Sequence, residues 1–574
     1  MKRLLLKMNK PLPEKETKQT EKTANQLFDE LQQQFYKSWF RFHPEEGIAA
    51  GNEGSAETLR SYDEDDIGAL LALNQKLVFA LIEINIEELD DARRLEHSLM
   101  LGAAEIEIRD QEEHDWRFIN PNDYIPVNAV YQLLVHPVEK VHRAVKRRLE
   151  LFPEHLRGAK LLLSQQPECV VPMWLETAIE QCVAGSSFVR KLGRHPLILK
   201  RFSNPSRLQP VYDTAANALD DFATFLEKEI APHAAGKFAC GEDRFNRLLN
   251  SKHFLGVNQE TLLRYGERLF EDTQKLLLKQ TTSMKSDNVE SLLKNIQKKH
   301  PKSEQLLDRY RKRMRDTYKW LSQADLLTMP EVQSLKVQET PKFMRSIIPF
   351  AAYEPPAAND SEQHGLYYVT TVEDEALLAE HNDFSIDLTC IHEAFPGHHL
   401  QFVLSNLHHK NKFSRLVNTS ASMYEGWALY CEELAVEHKF LNKKEHVFMM
   451  LRDRLWRALR IIIDVKIQTE QITVDQAVDL MVEKLSFDRS QAEAELRWYC
   501  SSPTTPSCYA IGRELLVAAK TICVEERGMV LKEFHDALLS QGAIAMPLAI
   551  HGAFGADVWI QVYDNVFGEF LPTT

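Results

Sequence analysis

The residues best suited to chemistry lie together in His392-Glu393-Ala394-Phe395-Pro396-Gly397-His398-His399. A histidine followed at once by a glutamate, with further histidines close behind, is the donor set of a zinc hydrolase. Imidazoles grip the ion and the carboxylate moves a proton. The usual form, HExxH, puts both imidazoles on one helix face at i and i+4. Here i+4 is Pro396, which cannot ligate. On an unbroken helix of ~3.6 residues per turn, His398 at i+6 points about 120° away from His392; His399 at i+7 points nearly the right way but lies ~10 Å along the axis. Proline removes a backbone donor and collides with the preceding turn, and glycine permits unusual dihedrals. Pro396-Gly397 therefore predicts a kink or bulge that carries His398 back toward His392. His398 is the preferred second ligand and His399 its rival.

A zinc site of this kind needs a third ligand and an open position for water. The candidate is Glu425, in Ser422-Met423-Tyr424-Glu425-Gly426-Trp427-Ala428-Leu429-Tyr430-Cys431-Glu432, on a second helix packed antiparallel to the first. Glu432 lies one heptad later on roughly the same face, where it can orient a ligand histidine through the ring's other nitrogen; the competing reading is a surface acid. Glu393 is the expected general base, taking a proton from metal-activated water and giving it to the leaving amine. A developing oxyanion needs a further donor. Tyr509 is the first candidate and Tyr499 the second, both in a turn-rich insert expected between two helices over residues 497–513. Arg513 could hold a terminal carboxylate bidentately, and the competing reading is a helix-surface charge. His408 and His409 read as a polar helix end.

The elements that must position these groups are helical almost throughout. Apolar residues recur at three- and four-residue steps in Ala69–Ile82, Val138–Leu163 and Thr261–Leu278. Glu290–Trp320 is helical and strongly basic, which reads as a solvated face. Helix punctuation breaks down once, over residues 345–372, where Pro355, Pro356 and Asn359-Asp360-Ser361 precede the β-rich run Leu366-Tyr367-Tyr368-Val369-Thr370-Thr371. A strand beside a cleft can pair with an extended peptide along its edge. The predicted organisation is a loosely packed tail over 1–24, a helical lobe over 25–345 and a metal-binding lobe over 346–574.

Composition narrows the classes. The chain has 574 residues, 44% hydrophobic and 26% charged, with 83 acidic against 69 basic residues and a net charge of −14. Its length predicts more than one packing unit. The acidic balance argues against a nucleic-acid partner. No apolar run reaches the ~18–20 residues of a membrane span, and Leu4-Leu5-Leu6 is too short for a secretory core, so no membrane partner is expected. The eight cysteines are scattered without a CxxC pair, as expected of free thiols in a cytoplasmic protein.

The run His392-Glu393-Ala394-Phe395-Pro396-Gly397-His398-His399-Leu400-Gln401 resembles the HE-x-x-P-G-H-x-x-Q signature of the bacterial domain-of-unknown-function 885 family. Tyr424-Glu425-Gly426-Trp427-Ala428 through Tyr430 and Glu432 is similar to its second signature, and Pro503-Thr504, Tyr509 and Gly512 resemble its third. This chain has Thr505-Pro506-Ser507 where many members carry Gly-Gln or Tyr-Gln. Weaker likenesses, such as Tyr353-Glu354-Pro355-Pro356, extend the resemblance to roughly residues 25–565. The resemblance implies a mainly α, zincin-like protein similar to helical metallocarboxypeptidases and oligopeptidases: two helical lobes around a deep channel, with a small β element near the active site. It implies His392, His398 and Glu425 as ligands of one Zn2+ per chain, with Glu393 as base, and it fixes the histidine after Pro-Gly. The leading expectation is a zinc peptidase of short peptides. The alternatives are a non-haem iron enzyme using two histidines and one carboxylate, against which the adjacent Glu393 argues, and a helical metal-binding scaffold without catalysis.

Overall fold

The computed structural model describes residues 22–113, 115–201, 205–345, 348 and 350–571. The tail expected over 1–24 falls, up to residue 21, outside them. The first helix, Ala24–Trp39, starts where Thr23 accepts a hydrogen bond from the Gln26 amide and the Gln26 side chain reaches back to the Thr23 amide. The periodic segments are helices over Glu64–Glu83, Val141–Leu163 and Gln259–Ser283. The basic segment is two helices, not one: Val289–Gln297 and α1, Leu306–Ala324. Pro301 lies between them. Among the described residues no helix is long and apolar enough to cross a membrane.

The β element has three strands, of which the sequence marks only the last by its residues: β1 (Ser334–Glu339), β2 (Ala351–Glu354) and β3 (His364–Val369). Their order is β1-β3-β2, with β1 parallel and β2 antiparallel to β3. The central strand is buried on both faces. Tyr367 and Val369 join Tyr310 of α1 and Ile386 and Cys390 of the helix Asp383–Glu393, while Leu366 and Tyr368 join Tyr131 of the N-terminal helices and Phe343 of the turn after β1. Alternation along β3 therefore serves two cores at once. In β1 only Val337 is fully buried, so its apolar signal is that of a polar edge strand.

The site helices follow: α2 (Asp383–Glu393), α3 (His398–His408), α4 (Ala421–Glu437), α5 (Lys444–Gln468), α6 (Arg489–Ser501) and α7 (Thr505–Lys520). Tyr499 and Tyr509 thus stand on helices, and the expected insert shrinks to residues 502–504. Pro506 does not interrupt because it lies in the first turn of α7, where no intrahelical donor is needed. α4 and α7 cross glycine on glycine. A Cβ on Gly512 would come within 1.9 Å of the Ser422 carbonyl oxygen, and one on Gly426 within 2.5 Å of the Gly512 carbonyl carbon. The largest core draws on both sides of residue 345, joining Phe245, Leu262 and Leu321 to Trp427, Ile461, Ile511 and Phe534.

Candidate metal centre

The His-Glu helix α2 is started by Asn382, whose side chain accepts hydrogen bonds from the Phe384 and Ser385 amides. It stops at Glu393, and Ala394 leaves helical dihedrals at φ −111°, ψ −89°. The expected kink is therefore a full break. The chain turns through Phe395 and Pro396, and Gly397 passes so close beneath the end of α2 that a Cβ there would lie 1.8 Å from the His392 carbonyl oxygen. Only glycine allows that approach. The Gly397 amide donates to the Ile391 carbonyl at 3.0 Å, and the Trp427 indole donates to the Pro396 carbonyl at 2.8 Å, fixing the turn to α4. A new helix begins at His398, which frees its direction from the register of α2.

This break brings His392 and His398 together with Glu425. Each offers one donor atom, the three lie within 4.8 Å of one another, and all three residues are buried. One Glu425 oxygen sits 3.2 Å from His392 Nε2 and 3.4 Å from His398 Nε2. Glu432, one heptad along α4, places an oxygen 2.9 Å from His392 Nδ1, so the two glutamates of one helix face hold the two nitrogens of one ring. His399 is elsewhere. Its Nδ1 meets the Tyr353 hydroxyl and its Nε2 the Gln333 side chain, each at 3.0 Å, and burial pushes its imidazole down to about 3.

The charges are strongly coupled. Burial disfavours an imidazolium at His392, yet Glu425 and Glu432 outweigh it and raise the ring to about 10. Burial likewise opposes ionisation of Glu425, and His398 and His392 overcome it, holding that carboxyl well below the usual range. Glu393 is half-buried, and desolvation raises its carboxyl against the opposing pull of the two imidazoles. His398 Nδ1 and Glu432 Oε2 are buried without a partner among the described residues. Two imidazoles and a carboxylate, crowded with such polar atoms left over, fit a divalent cation with nitrogen and oxygen preference.

Tyr509 of α7 lies parallel to the His392 ring, 17° between planes and 6.4 Å between centroids. Burial, and then the Glu425 carboxylate, keep its phenol protonated well above the ordinary value. Tyr499 is engaged elsewhere: Trp456 Nε1 and Arg460 Nε donate to its hydroxyl at 3.0 and 2.7 Å. Arg513 is buried and ion-paired with Glu433 and Glu514, so its guanidinium is neither free nor on the surface. His408 and His409 do end a helix, α3, with His408 exposed and His409 buried as its C-cap. Sequence reasoning missed three neighbours. Tyr353 of β2 stacks against His398 at 6.3 Å, Tyr424 packs edge-on against the same ring at 6.0 Å, and Arg460 lies over the Tyr509 ring at 4.6 Å. Tyr353 and Tyr424 stand inside the quoted motifs, where the aromatic was the signal; nothing in the sequence marks Arg460.

Comparison with known proteins gives a family and a fold. A solved structure described as a candidate lipoprotein of unknown function from Shewanella oneidensis superposes with a TM-score of 0.72 at 20% identity, over 91% of this chain and 99% of that one. A second, a candidate lipoprotein from Colwellia psychrerythraea, gives 0.75 at 17% identity, over 95% and 100%. At such identities the likeness is one of fold alone. No protein curated for function matches the chain. Residues 44–550 match the family described as bacterial protein of unknown function, DUF885, and the chain belongs to that family.

Proposed function

We propose that this protein is a zinc-dependent hydrolase of peptide bonds in short peptides, with the ion held by His392, His398 and Glu425. The observation that carries the reading is the break at Pro396-Gly397, which sets two imidazoles and a carboxylate within 4.8 Å of one another beside an adjacent glutamate. Zinc held by such a donor set lowers the pKa of a bound water to ~7 and polarises a carbonyl. Glu393 accepts the proton from the attacking water and delivers it to the leaving amine nitrogen. Its desolvation, which raises its carboxyl, suits a group that must both take and return a proton. Glu432 holds the His392 ring so that Nε2 faces the ion. The Tyr509 phenol, kept protonated, donates to the oxygen that gains charge as the carbonyl is attacked.

Substrate presentation follows from β2. Among the described residues it pairs only with β3, and its Tyr353 stands against His398. An extended peptide lying along the other edge of β2 would be carried past His398 by main-chain hydrogen bonds. A zincin-like arrangement of two helical lobes around a channel belongs to the same reading and would restrict entry to short peptides. The base next to His392 favours hydrolysis over iron oxygenase chemistry. The eight free thiols support action in the cytoplasm, whereas the two structural neighbours are named as lipoproteins; cell fractionation decides between cytoplasm and envelope for this chain. The function is tested by digesting a peptide library with zinc-loaded protein and reading products by mass spectrometry. Cleavage that stops on chelation and returns with zinc supports it, and an intact library with one zinc bound per chain contradicts it. The cleavage positions distinguish exopeptidase from endopeptidase action.

A further inference from the structure

Glu425 and Tyr509 come from two helices, α4 and α7, whose N-terminal caps are Ser420 and Thr504. Both caps meet one side chain from the N-terminal half of the chain. His253 is fully buried, with Nδ1 2.8 Å from the Ser420 hydroxyl and Nε2 2.9 Å from the Thr504 hydroxyl. It follows directly on the π-helical turn Leu248–Lys252. No role in the chemistry above uses it.

The hydrogen-bond directions along this line are fixed by its two ends. The Pro503 carbonyl can only accept, so the Thr504 hydroxyl donates to it at 2.5 Å and must accept from His253 Nε2–H. His253 Nδ1 is then an acceptor, and the Ser420 hydroxyl donates to it. Ser420 Oγ in turn accepts from the Ser422 hydroxyl, 2.8 Å away, and from the Ser422 amide, while Ser422 Oγ accepts from the Met546 amide. Every donor in this line points one way, an arrangement in which successive bonds reinforce one another. It needs a neutral ring, and burial holds the His253 imidazole well below its ordinary value, with Lys252 adding to the effect. Thr504 also sits in the left-handed region at φ 68°, a conformation that costs a threonine energy unless its surroundings hold it. His253 grips its hydroxyl, and the Asp464 carboxylate accepts from its amide at 3.3 Å.

We propose that His253 is a positioning residue for the metal centre: by bridging the caps of α4 and α7 it sets Glu425 and Tyr509 relative to one another. The inference rests on the proposed metal site for its consequence but not for its geometry. Glu425 and Tyr509 each stand five residues beyond their caps, about one and a half helical turns, so a change at either cap lies close to the residue it would displace.

The test uses the full chain with 3-fluorotyrosine at position 509, zinc as the probe metal, and the variants His253→Ala, His253→Gln, Ser420→Ala and Thr504→Val. Zinc dissociation constants are taken by competition with a chromophoric chelator, and the fluorine resonance is recorded with and without metal. The expected result for His253→Ala is a shifted or broadened fluorine resonance and about tenfold weaker zinc binding, the range seen when groups outside the ligand set are removed. Glutamine, which can donate and accept, recovers part of both. Ser420→Ala and Thr504→Val, each removing one bond, give smaller changes of the same sign and carry the test if the alanine variant does not fold. An unmoved resonance with wild-type zinc affinity in the folded variants overturns the proposal. If wild-type protein binds no zinc while the resonance still moves, the metal reading fails and the positioning role stands.

Discussion

Two junctions of this molecule set histidines between helix ends and treat the imidazole in opposite ways. At the break between α2 and α3, His392 and His398 converge on Glu425, carboxylates meet both nitrogens of His392 and raise its imidazole, and His398 Nδ1 has no partner among the described residues. At the caps of α4 and α7, His253 has both nitrogens bonded to hydroxyls and stays neutral. The contrast repeats between chain neighbours, since both nitrogens of His399 are engaged while His398 leaves Nδ1 without a partner among the described residues. Burial of an unsatisfied polar group is costly. Under the proposed reading, the unpartnered atoms at the first junction accompany a site kept for a metal ion.

The largest effect that would break this contrast is on the base. Glu393→Gln is expected to retain zinc and lose about 10²–10⁴-fold in kcat on the peptides that the library identifies. Full turnover in that variant removes Glu393 from the chemistry. Next, His398→Ala should weaken zinc binding by more than about 100-fold, beyond the range for groups that only support a ligand. His399→Gln should keep zinc affinity within a few-fold while losing thermal stability. The reverse outcome, read by chelator competition, would exchange the roles of the two neighbours.

That pair of variants also marks what was legible in the sequence. The residue types at 392, 398 and 425 and the presence of Pro396-Gly397 were enough to anticipate which side chains meet, because a proline four residues after a histidine removes a backbone donor and collides with the preceding turn. The form of the ending was not legible. Periodicity predicts a bent helix as readily as two helices, and only the contact of Gly397 with the His392 carbonyl distinguishes them. The helical character was readable from apolar spacing, whereas β1 was not, since an edge strand with one buried side chain carries almost no pattern. Tyr499 and Tyr509 were placed in an insert rather than on helices because Ser, Thr and Pro near residue 503 resemble a loop, yet most of them fall in a last or a first helical turn. His253 and Arg460 had no sequence signal, since a lone histidine or arginine gives no hint of partners more than a hundred or some tens of residues away.

Smaller effects sharpen the comparison. Glu432→Ala removes the carboxylate behind His392 and should weaken zinc binding by about 10–100-fold, while leaving the structure around His253 unchanged. An unaltered dissociation constant would make Glu432 a bystander. His535 is another fully engaged imidazole, bonded to the Tyr430 hydroxyl at 2.8 Å and the Leu326 carbonyl at 2.7 Å, and burial lowers it to about 4. A histidine whose folded value lies below its unfolded value of ~6.5 destabilises the fold as pH falls, because the unfolded chain binds the proton first. Stability should therefore decline between pH 6.5 and about 4, and His535→Gln should remove up to about 3 kcal/mol of that decline. Parallel denaturation curves for both proteins across that window would show His535 to be no different from an exposed histidine.

The central claim is that one divalent cation is gripped by two imidazoles from either side of a broken helix and a carboxylate from α4. Anomalous diffraction at the zinc edge, on crystals of the full chain loaded with one equivalent of zinc, tests it most directly. The account predicts a single strong peak within bonding distance of His392 Nε2, His398 and Glu425. A map with no peak there, or with its strongest peak at other residues, contradicts it.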